Sequence, residues 1–197
     1  MENLSALNTK CLSNMPMLLD SISQTIAKLE KILSPYYDSL LNDINSAGYS
    51  ILAEWNRGTI WGLGHHEKHK TQYLGVNSIY PEISLYYKLP FEKKRRRNPV
   101  KFRIDFGYMS AAQDLNVIYF QLFEISEKQK ILVDDFWDEI EQSIPIPDEW
   151  EKGIEDINDN NIYVQFTMDE SLSTDKIDDL FNVFKKYILL PTIDKLK

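Results

Sequence analysis

Five consecutive cations, Lys93, Lys94, Arg95, Arg96 and Arg97, stand in a chain whose formal net charge is −8. Arginine side chains match the geometry of phosphate oxygens, and a protruding basic loop can also meet an acidic protein surface. Residues 92–101 contain no aromatic side chain that could stack on single-stranded bases. The run predicts a loop that contacts an acidic partner. We expect a protein partner; nucleic acid and a merely solvated loop are the alternatives.

Two further residues extend the predicted partner-binding set. Arg103 follows the basic run and lies on the outer face of the next expected strand. Trp150 stands among carboxylates in "PDEWEKGIEDINDNN", and an apolar anchor inside a charged rim is typical of the centre of a protein interface. The structural alternative for Trp150 is a place in the hydrophobic core.

All three histidines, His65, His66 and His69, fall within "GHHEKHK". The zinc motif HExxH would need a histidine at position 70, where the chain has Lys70. Glycines just before the cluster indicate a loop, which fixes no common face for ligands. The pattern favours a polar loop without a metal ion.

Asp105 and Glu124 supply two carboxylates on neighbouring expected strands, as in metal-dependent nucleases. Such enzymes need a lysine two residues after the second acid, but Ser126 occupies that position. The chain also lacks a P-loop, a GxGxxG segment and a GxSxG elbow. A nuclease-like enzyme that uses these acids beside the basic run is the alternative hypothesis, and we expect no cofactor.

The charge is distributed unevenly along the chain. Residues 57–103 contain 11 Lys/Arg against 3 Asp/Glu, or +8, whereas residues 124–179 contain 4 against 18, or −14. The chain of 197 residues is long enough for one sizeable core. Its single cysteine, Cys11, fits a reducing compartment, so we expect a cytoplasmic protein. Apolar runs near 20 residues are absent, so we expect no membrane span.

The strongest periodic signal lies in residues 17–47, where apolar residues recur every three or four positions from Leu19 to Ile44. This spacing predicts a helix that is kinked or restarted at Pro35. Such an apolar stripe must be covered, either by the sheet or by a second copy in a homo-oligomer. Residues 1–16 show no period and are expected to be loose.

Residues 57–125 predict antiparallel strands. Residues 83–89 and 102–108 alternate apolar and polar side chains, residues 116–125 are apolar on nearly both faces, and residues 58–63 predict an earlier strand. The basic run would form the tip of the hairpin between these two strands. Matching their apolar faces suggests that Lys88 lies opposite Arg103, although two like charges would destabilise that pair. A different register or a nearby anion would relieve the repulsion.

Residues 133–197 predict an acidic helix–strand–helix segment, with Pro191 interrupting the last helix. The order of elements indicates one α+β domain over 17–197, an antiparallel sheet of four to five strands with helices on one face. The favoured function is a non-catalytic regulator, inhibitor or accessory subunit that binds a macromolecule through oppositely charged surfaces.

Overall fold

The computed structural model describes residues 4–52, 63–67, 70–77, 80–93, 99–111, 115–125, 136–155, 160–168 and 174–195. In chain order its elements are α1 (Leu4–Ser46), β1 (Ser50–Ile51), β2 (Leu63–Glu67), β3 (Lys70–Asn77), β4 (Tyr80–Lys93), β5 (Val100–Ala111), β6 (Leu115–Glu124), α2 (Phe136–Ser143), β7 (Trp150–Glu155), β8 (Asn160–Thr167), α3 (Thr174–Val183), a π-helical turn (Phe184–Leu189) and α4 (Leu190–Lys195). Within these ranges no helix combines the length and the apolar character that a membrane crossing requires.

The strands form one antiparallel sheet in the order β2-β3-β4-β5-β6-β8-β7, and β1 pairs with the end of β4. The predicted α+β class is confirmed, and the described part of the chain has more strands than the four to five expected. The strands β3 and β7 were not predicted, because neither carries a clear run of alternating apolar residues. The predicted early strand at 58–63 lies outside the described residues except for Leu63, where β2 begins.

One face of the sheet carries a row of stacked aromatic rings. Tyr87, Phe106 and Phe120 lie directly opposite one another on β4, β5 and β6. The ring centroids are 5.0 Å apart for Tyr87 and Phe106 and 5.2 Å apart for Phe106 and Phe120. The helices cover this row, since the rings of Tyr36 and Phe181 lie 5.9 and 5.6 Å from that of Phe120. Burial of such rings contributes about 1.5–3 kcal/mol each.

Helix α1 packs its predicted apolar stripe on this face from Leu29 onward, and the fully or nearly buried members are Leu29, Leu33, Tyr36, Leu40 and Ile44. The helix is one continuous element rather than two in series, with Pro35 exposed on its outer side. A proline there leaves one helical carbonyl facing water, which can satisfy it. The helix also begins at Leu4, so the segment expected to be loose is largely helical.

The register between β4 and β5 differs from the predicted one by two residues. Lys88 lies opposite Asp105, and Arg103 lies opposite Pro90. The predicted pairing of Lys88 with Arg103 is therefore wrong. Opposite charges attract across a strand pair whereas like charges repel, so the observed register removes the repulsion that the predicted one would create.

Pro191 does not interrupt the C-terminal helical segment. It is the second residue of α4, and the six-residue π-helical turn directly precedes that helix. The amide N–H of Leu190 donates to the carbonyl of Lys185, five residues earlier. A wider turn reduces the clash between a proline ring and the carbonyl four residues before it, so the helical path continues.

The second face of the sheet pairs two glycines with tyrosines. Gly107 lies opposite Tyr86, and Gly153 lies opposite Tyr163. A Cβ at position 107 would meet the carbonyl oxygen of Leu85 and come within 2.6 Å of the Cα of Tyr86, both fixed backbone atoms. A Cβ at position 153 would meet the hydroxyl of Tyr163 at 2.9 Å, which a ring rotation can relieve. Only the first glycine is held by rigid neighbours.

We expect Gly107→Ala to be clearly more destabilising than Gly153→Ala. Overpacking against fixed atoms costs about 1–3 kcal/mol or more, which lowers the melting temperature by about 2–4 °C per kcal/mol in a chain of this size. Thermal unfolding followed by circular dichroism measures both variants. Equal melting temperatures for the two would contradict this account of the second face.

Candidate interaction surfaces

The basic run leaves the sheet from the paired ends of β4 and β5. Lys93, the last residue of β4, lies opposite Val100, the first residue of β5, and Glu92 lies opposite Lys101. The ammonium group of Lys93 is 5.5 Å from the centroid of the Tyr49 ring. The remaining predicted residues of the run, Lys94, Arg95, Arg96 and Arg97, lie outside the described residues.

Aromatic packing holds the base of this hairpin. The rings of Phe91 and Phe102 stack at 5.5 Å, and Tyr49 meets Phe91 edge to face at 5.4 Å. Strand β1 also pairs with Phe91 and Glu92 from the side opposite β5. Both strands that carry the basic run are thus fixed up to their last paired residues.

Arg103 lies inside the protein, with only 5% of its surface exposed. Its Nε donates to Oδ1 of Asp105 at 2.7 Å, and its guanidinium lies 4.0 Å from the centroid of the Phe123 ring. The two charged residues are two positions apart on β5, which places them on the same face. The structure therefore places Arg103 in a buried ion pair and not beside the basic run on the surface.

The hydroxyl of Tyr119 belongs to the same polar cluster on the second face. Burial raises the pKa of Tyr119 well above its ordinary value of 10.0, the charges of Asp105 and Tyr86 raise it further, and Arg103 acts in the opposite direction. Lys88 completes the cluster, with its ammonium 5.2 Å from the centroid of the Tyr86 ring. The cluster is a partnered, structural arrangement of charges.

The two acids of the nuclease hypothesis lie on opposite faces of the sheet. Glu124 lies opposite Phe102, whose ring is in the core beneath the helices. Asp105 is three residues from Phe102 on the same strand, so it points to the other face. The two carboxylates do not converge on one metal ion. Among the described residues no group of three or more His, Cys, Asp or Glu side chains is placed to hold one.

The first two residues of the histidine cluster lie in a strand and not in the loop that was expected. His65 and His66 are consecutive residues of β2 and lie opposite Gln72 and Thr71 of β3. His69 lies outside the described residues. The sequence pattern did not predict β3, and without this neighbouring strand the histidine segment was not recognised as a strand.

Trp150 lies in the core and is 7% exposed. Its ring stacks on that of Phe166 at 5.7 Å. Five carboxylates on α2 and near the start of β7 are exposed instead. We call them the acidic edge, and they are Asp138, Glu139, Asp148, Glu149 and Glu151. Sequence reasoning chose the tryptophan together with the segment that contains Asp148, Glu149 and Glu151, but it missed Asp138 and Glu139, which the outward face of α2 could have indicated.

Lys152, the basic residue within the acidic edge, points to the helices. Its ammonium donates to the carbonyl oxygens of Glu141 and Ile144 at 2.6 and 3.0 Å. These carbonyls lie at the end of α2, where a cation is favourable to the helix dipole. Lys152 thereby caps the helix from the inner face of β7, while Glu151 faces the other way.

The acidic edge is distant from the base of the basic run. Three strand spacings separate β5 from β7, which is about 14 Å across the sheet. The cross-strand pairs also place Glu151 level with Gly107 on β5, six residues or about 20 Å along the strand from Lys101. Both separations exceed the Debye length of about 8 Å at physiological salt. The charges of Lys101 and Glu151 therefore interact little at this salt concentration.

Comparisons of the chain with protein-family models, with curated proteins and with solved structures found no match.

We expect Arg103→Ala to destabilise the protein by about 3–5 kcal/mol, because it breaks the buried ion pair between Arg103 and Asp105. The double variant Arg103→Met, Asp105→Leu should lose much less, since it removes both buried charges. Urea unfolding measures both. A single variant with wild-type stability would contradict the structural role of Arg103.

The raised pKa of Tyr119 predicts a loss of stability at high pH. Below pH 10 the phenol is protonated in both states, so stability is unaffected; above it the unfolded state loses the proton while the folded state keeps it. The free energy of unfolding should fall by up to about 1.4 kcal/mol per pH unit for each such tyrosine. Urea unfolding between about pH 8 and 11 should give a shallower slope for Tyr119→Phe. Identical slopes would contradict the prediction.

Proposed function

We propose that this chain is a non-catalytic interaction protein of the cytoplasm, a regulator, inhibitor or accessory subunit that binds a protein partner through two oppositely charged surfaces. One surface is the basic run that begins at Lys93, and the other is the acidic edge. The observation that carries the proposal is the separation of Lys101, at the base of the basic run, from Glu151 of the acidic edge by more than two Debye lengths. Charges so placed set the orientation of a partner and accelerate its association more than they add affinity.

The base of the basic run supports this role. A loop of cations contributes to recognition only if its position is defined, and the stacked rings of Phe91 and Phe102 fix the strands that carry it. At the acidic edge, Lys152 is engaged with the carbonyls of α2. A partner with a basic patch can therefore approach carboxylates at the edge of the sheet without first displacing this lysine.

The positions of its two acids do not support the nuclease-like enzyme hypothesis. Its two acids, Asp105 and Glu124, point to opposite faces of the sheet, and Asp105 is already paired with Arg103. Nucleic acid as the partner of the basic run is an outcome that the experiment below distinguishes.

Two charge-removal variants and one control test the proposal. The first replaces residues 93–97 with serine, the second carries Asp138→Asn, Glu139→Gln, Asp148→Asn and Glu149→Gln, and the control carries Asp20→Asn, Asp175→Asn and Asp179→Asn at exposed positions elsewhere. Each protein is immobilised, and partners are captured from nuclease-treated lysate of the native cell and then purified for direct binding measurements. Exposed charges contribute about 0–1 kcal/mol per pair to stability, so all variants should fold.

We expect a purified partner that binds wild type and control equally and associates at least ~10-fold more slowly with the first or second variant, the difference fading near 1 M salt. Fluorescence anisotropy with a short DNA duplex and an RNA hairpin is run in parallel. If these probes bind the wild type and this binding disappears in the serine variant, the partner of the basic run is nucleic acid and not a protein. Equal capture by all four proteins would overturn the proposal.

A further inference from the structure

Helix α1 extends well beyond the sheet that it packs on. It has 43 residues and is therefore about 64 Å long. Among the described side chains of α1, the first buried one is that of Leu29. Before that residue, the described side chains from position 17 onward are exposed or half-buried, and Met17 is 76% exposed. We call residues 4–28 the α1 extension.

The extension continues the apolar stripe of the packed half in one unbroken heptad pattern. The stripe alternates spacings of three and four residues, and its positions are Leu12, Met15, Leu19, Ile22, Ile26, Leu29, Leu33, Tyr36 and Leu40. This 3.5-residue repeat is the pattern of a left-handed coiled coil, in which such positions form the seam between two helices. The stripe was predicted from the sequence only from Leu19 onward, and its heptad register was not predicted.

The exposure of the described side chains agrees with this register. The positions opposite the seam are Met17, Gln24, Lys31 and Asp38, and all four are exposed. On the seam, Leu29 is buried and Ile26 is half-buried. The face that packs on the sheet in the second half of α1 is thus the face that the extension carries beyond it.

The extension is a poor helix on its own. It is rich in Ser, Thr and Asn, it contains Pro16, and its first turn has no acidic residue to oppose the helix dipole. Helix formation in water depends on length and composition, and in proteins most helical stability comes from packing of the apolar face. A helical extension therefore needs a partner along its seam.

The charge of the extension points to a second copy of this chain. Within residues 4–28 the charged residues are Lys10, Asp20 and Lys28. A strongly acidic or basic partner helix finds no complement there, whereas two copies meet without appreciable repulsion. The apolar seam is self-complementary, as an interface with twofold symmetry requires.

We propose that the α1 extensions of two copies pair as an antiparallel coiled coil. A parallel pair is excluded by the fold, because the second helix would continue along the seam into the space that the sheet occupies from Leu29 onward. In the antiparallel arrangement each helix ends where the other chain's sheet begins. Matching the seam positions places Leu12 against Ile22 of the second copy and Met15 against Leu19 of the second copy.

The expected contact is modest in size. Twenty-five helical residues span about 37 Å with a diameter of about 11 Å, and covering a third of that cylindrical surface removes roughly 430 Å² from water per copy. The total of roughly 850 Å² is in the size range of weak, transient interfaces. The dimer should therefore depend on concentration in the micromolar range.

Sedimentation of the full chain from about 1 to 200 µM tests the dimer. The double variant Leu19→Asp, Ile22→Asp adds two charges on the seam, and the matched control Ser21→Asp, Gln24→Asp adds two charges at exposed positions on the other side. We expect a dimer for wild type and control, and a dissociation constant at least ~10-fold higher for the seam variant. All three should keep the same melting transition of the sheet, because Leu29 to Ile44 are unchanged.

Disulfide trapping in a Cys11→Ser background tests the orientation. The pair Leu12→Cys, Ile22→Cys should cross-link two copies on oxidation. Leu19→Cys alone should not, since antiparallel helices offset the two residues by four positions, or about 6 Å, and keep their Cα atoms beyond the roughly 7 Å that a disulfide spans.

A wild-type monomer at the highest concentration, a seam variant that still dimerises, or efficient cross-linking of Leu19→Cys would each overturn the proposal. None of these outcomes bears on the charged surfaces of the proposed function, which are assayed with a captured partner.

Discussion

The position of the helices over the sheet depends on the ring of Phe120. This ring stacks on Phe106 within the sheet and meets Tyr36 of α1, Phe181 of α3 and Phe184 of the π-helical turn at centroid distances of 5.2 to 5.9 Å. Since one side chain touches the sheet, α1 and the C-terminal helical segment, none of them can shift without disturbing the others. Two polar contacts then join the helices directly: the hydroxyl of Tyr36 donates to Asp178 at 2.6 Å, and Lys185 pairs with Asp43 at 2.7 Å.

The second face of the sheet imposes a different constraint, because it buries charge. Arg103 and Asp105 are both under a tenth exposed, and burying charges is favourable only when each finds its partner. Lys88 opposite Asp105 satisfies that condition, whereas a two-residue slip would bring Lys88 opposite Arg103. The rings on one face and the charges on the other therefore select the same register. Side chains alternate between the two faces along each strand, so Asp105 of β5 and Glu124 of β6 point to opposite faces. These two carboxylates therefore do not form a common site.

Sequence patterns were sufficient to predict an element where its periodic apolar residues form its buried face. The stripe from Leu29 to Ile44, the alternation in β5 and the helix at Phe136 all follow from apolar spacing, because each presents one face to the core. The strands β3 and β7 could not be found in this way. In β7, Lys152 lies on the inner face and reaches helix carbonyls, so a polar residue occupies an inward position. The same reasoning chose Arg103 and Trp150 as surface residues because it counted charge and aromaticity without knowing their cross-strand neighbours.

The separation of charge in space follows from the topology rather than from sequence alone. From β2 to β6 each strand lies beside its predecessor, and only β8 and β7 exchange places at the end of the sheet. Position along the chain therefore translates into position across the sheet, so Lys101 of the basic middle and Glu151 of the acidic end lie on strands that are three spacings apart. A sheet with crossover connections would interleave the same residues, and opposite charges within a Debye length would then cancel at long range. In this fold Lys101 on β5 and Glu151 on β7 lie farther apart than that length.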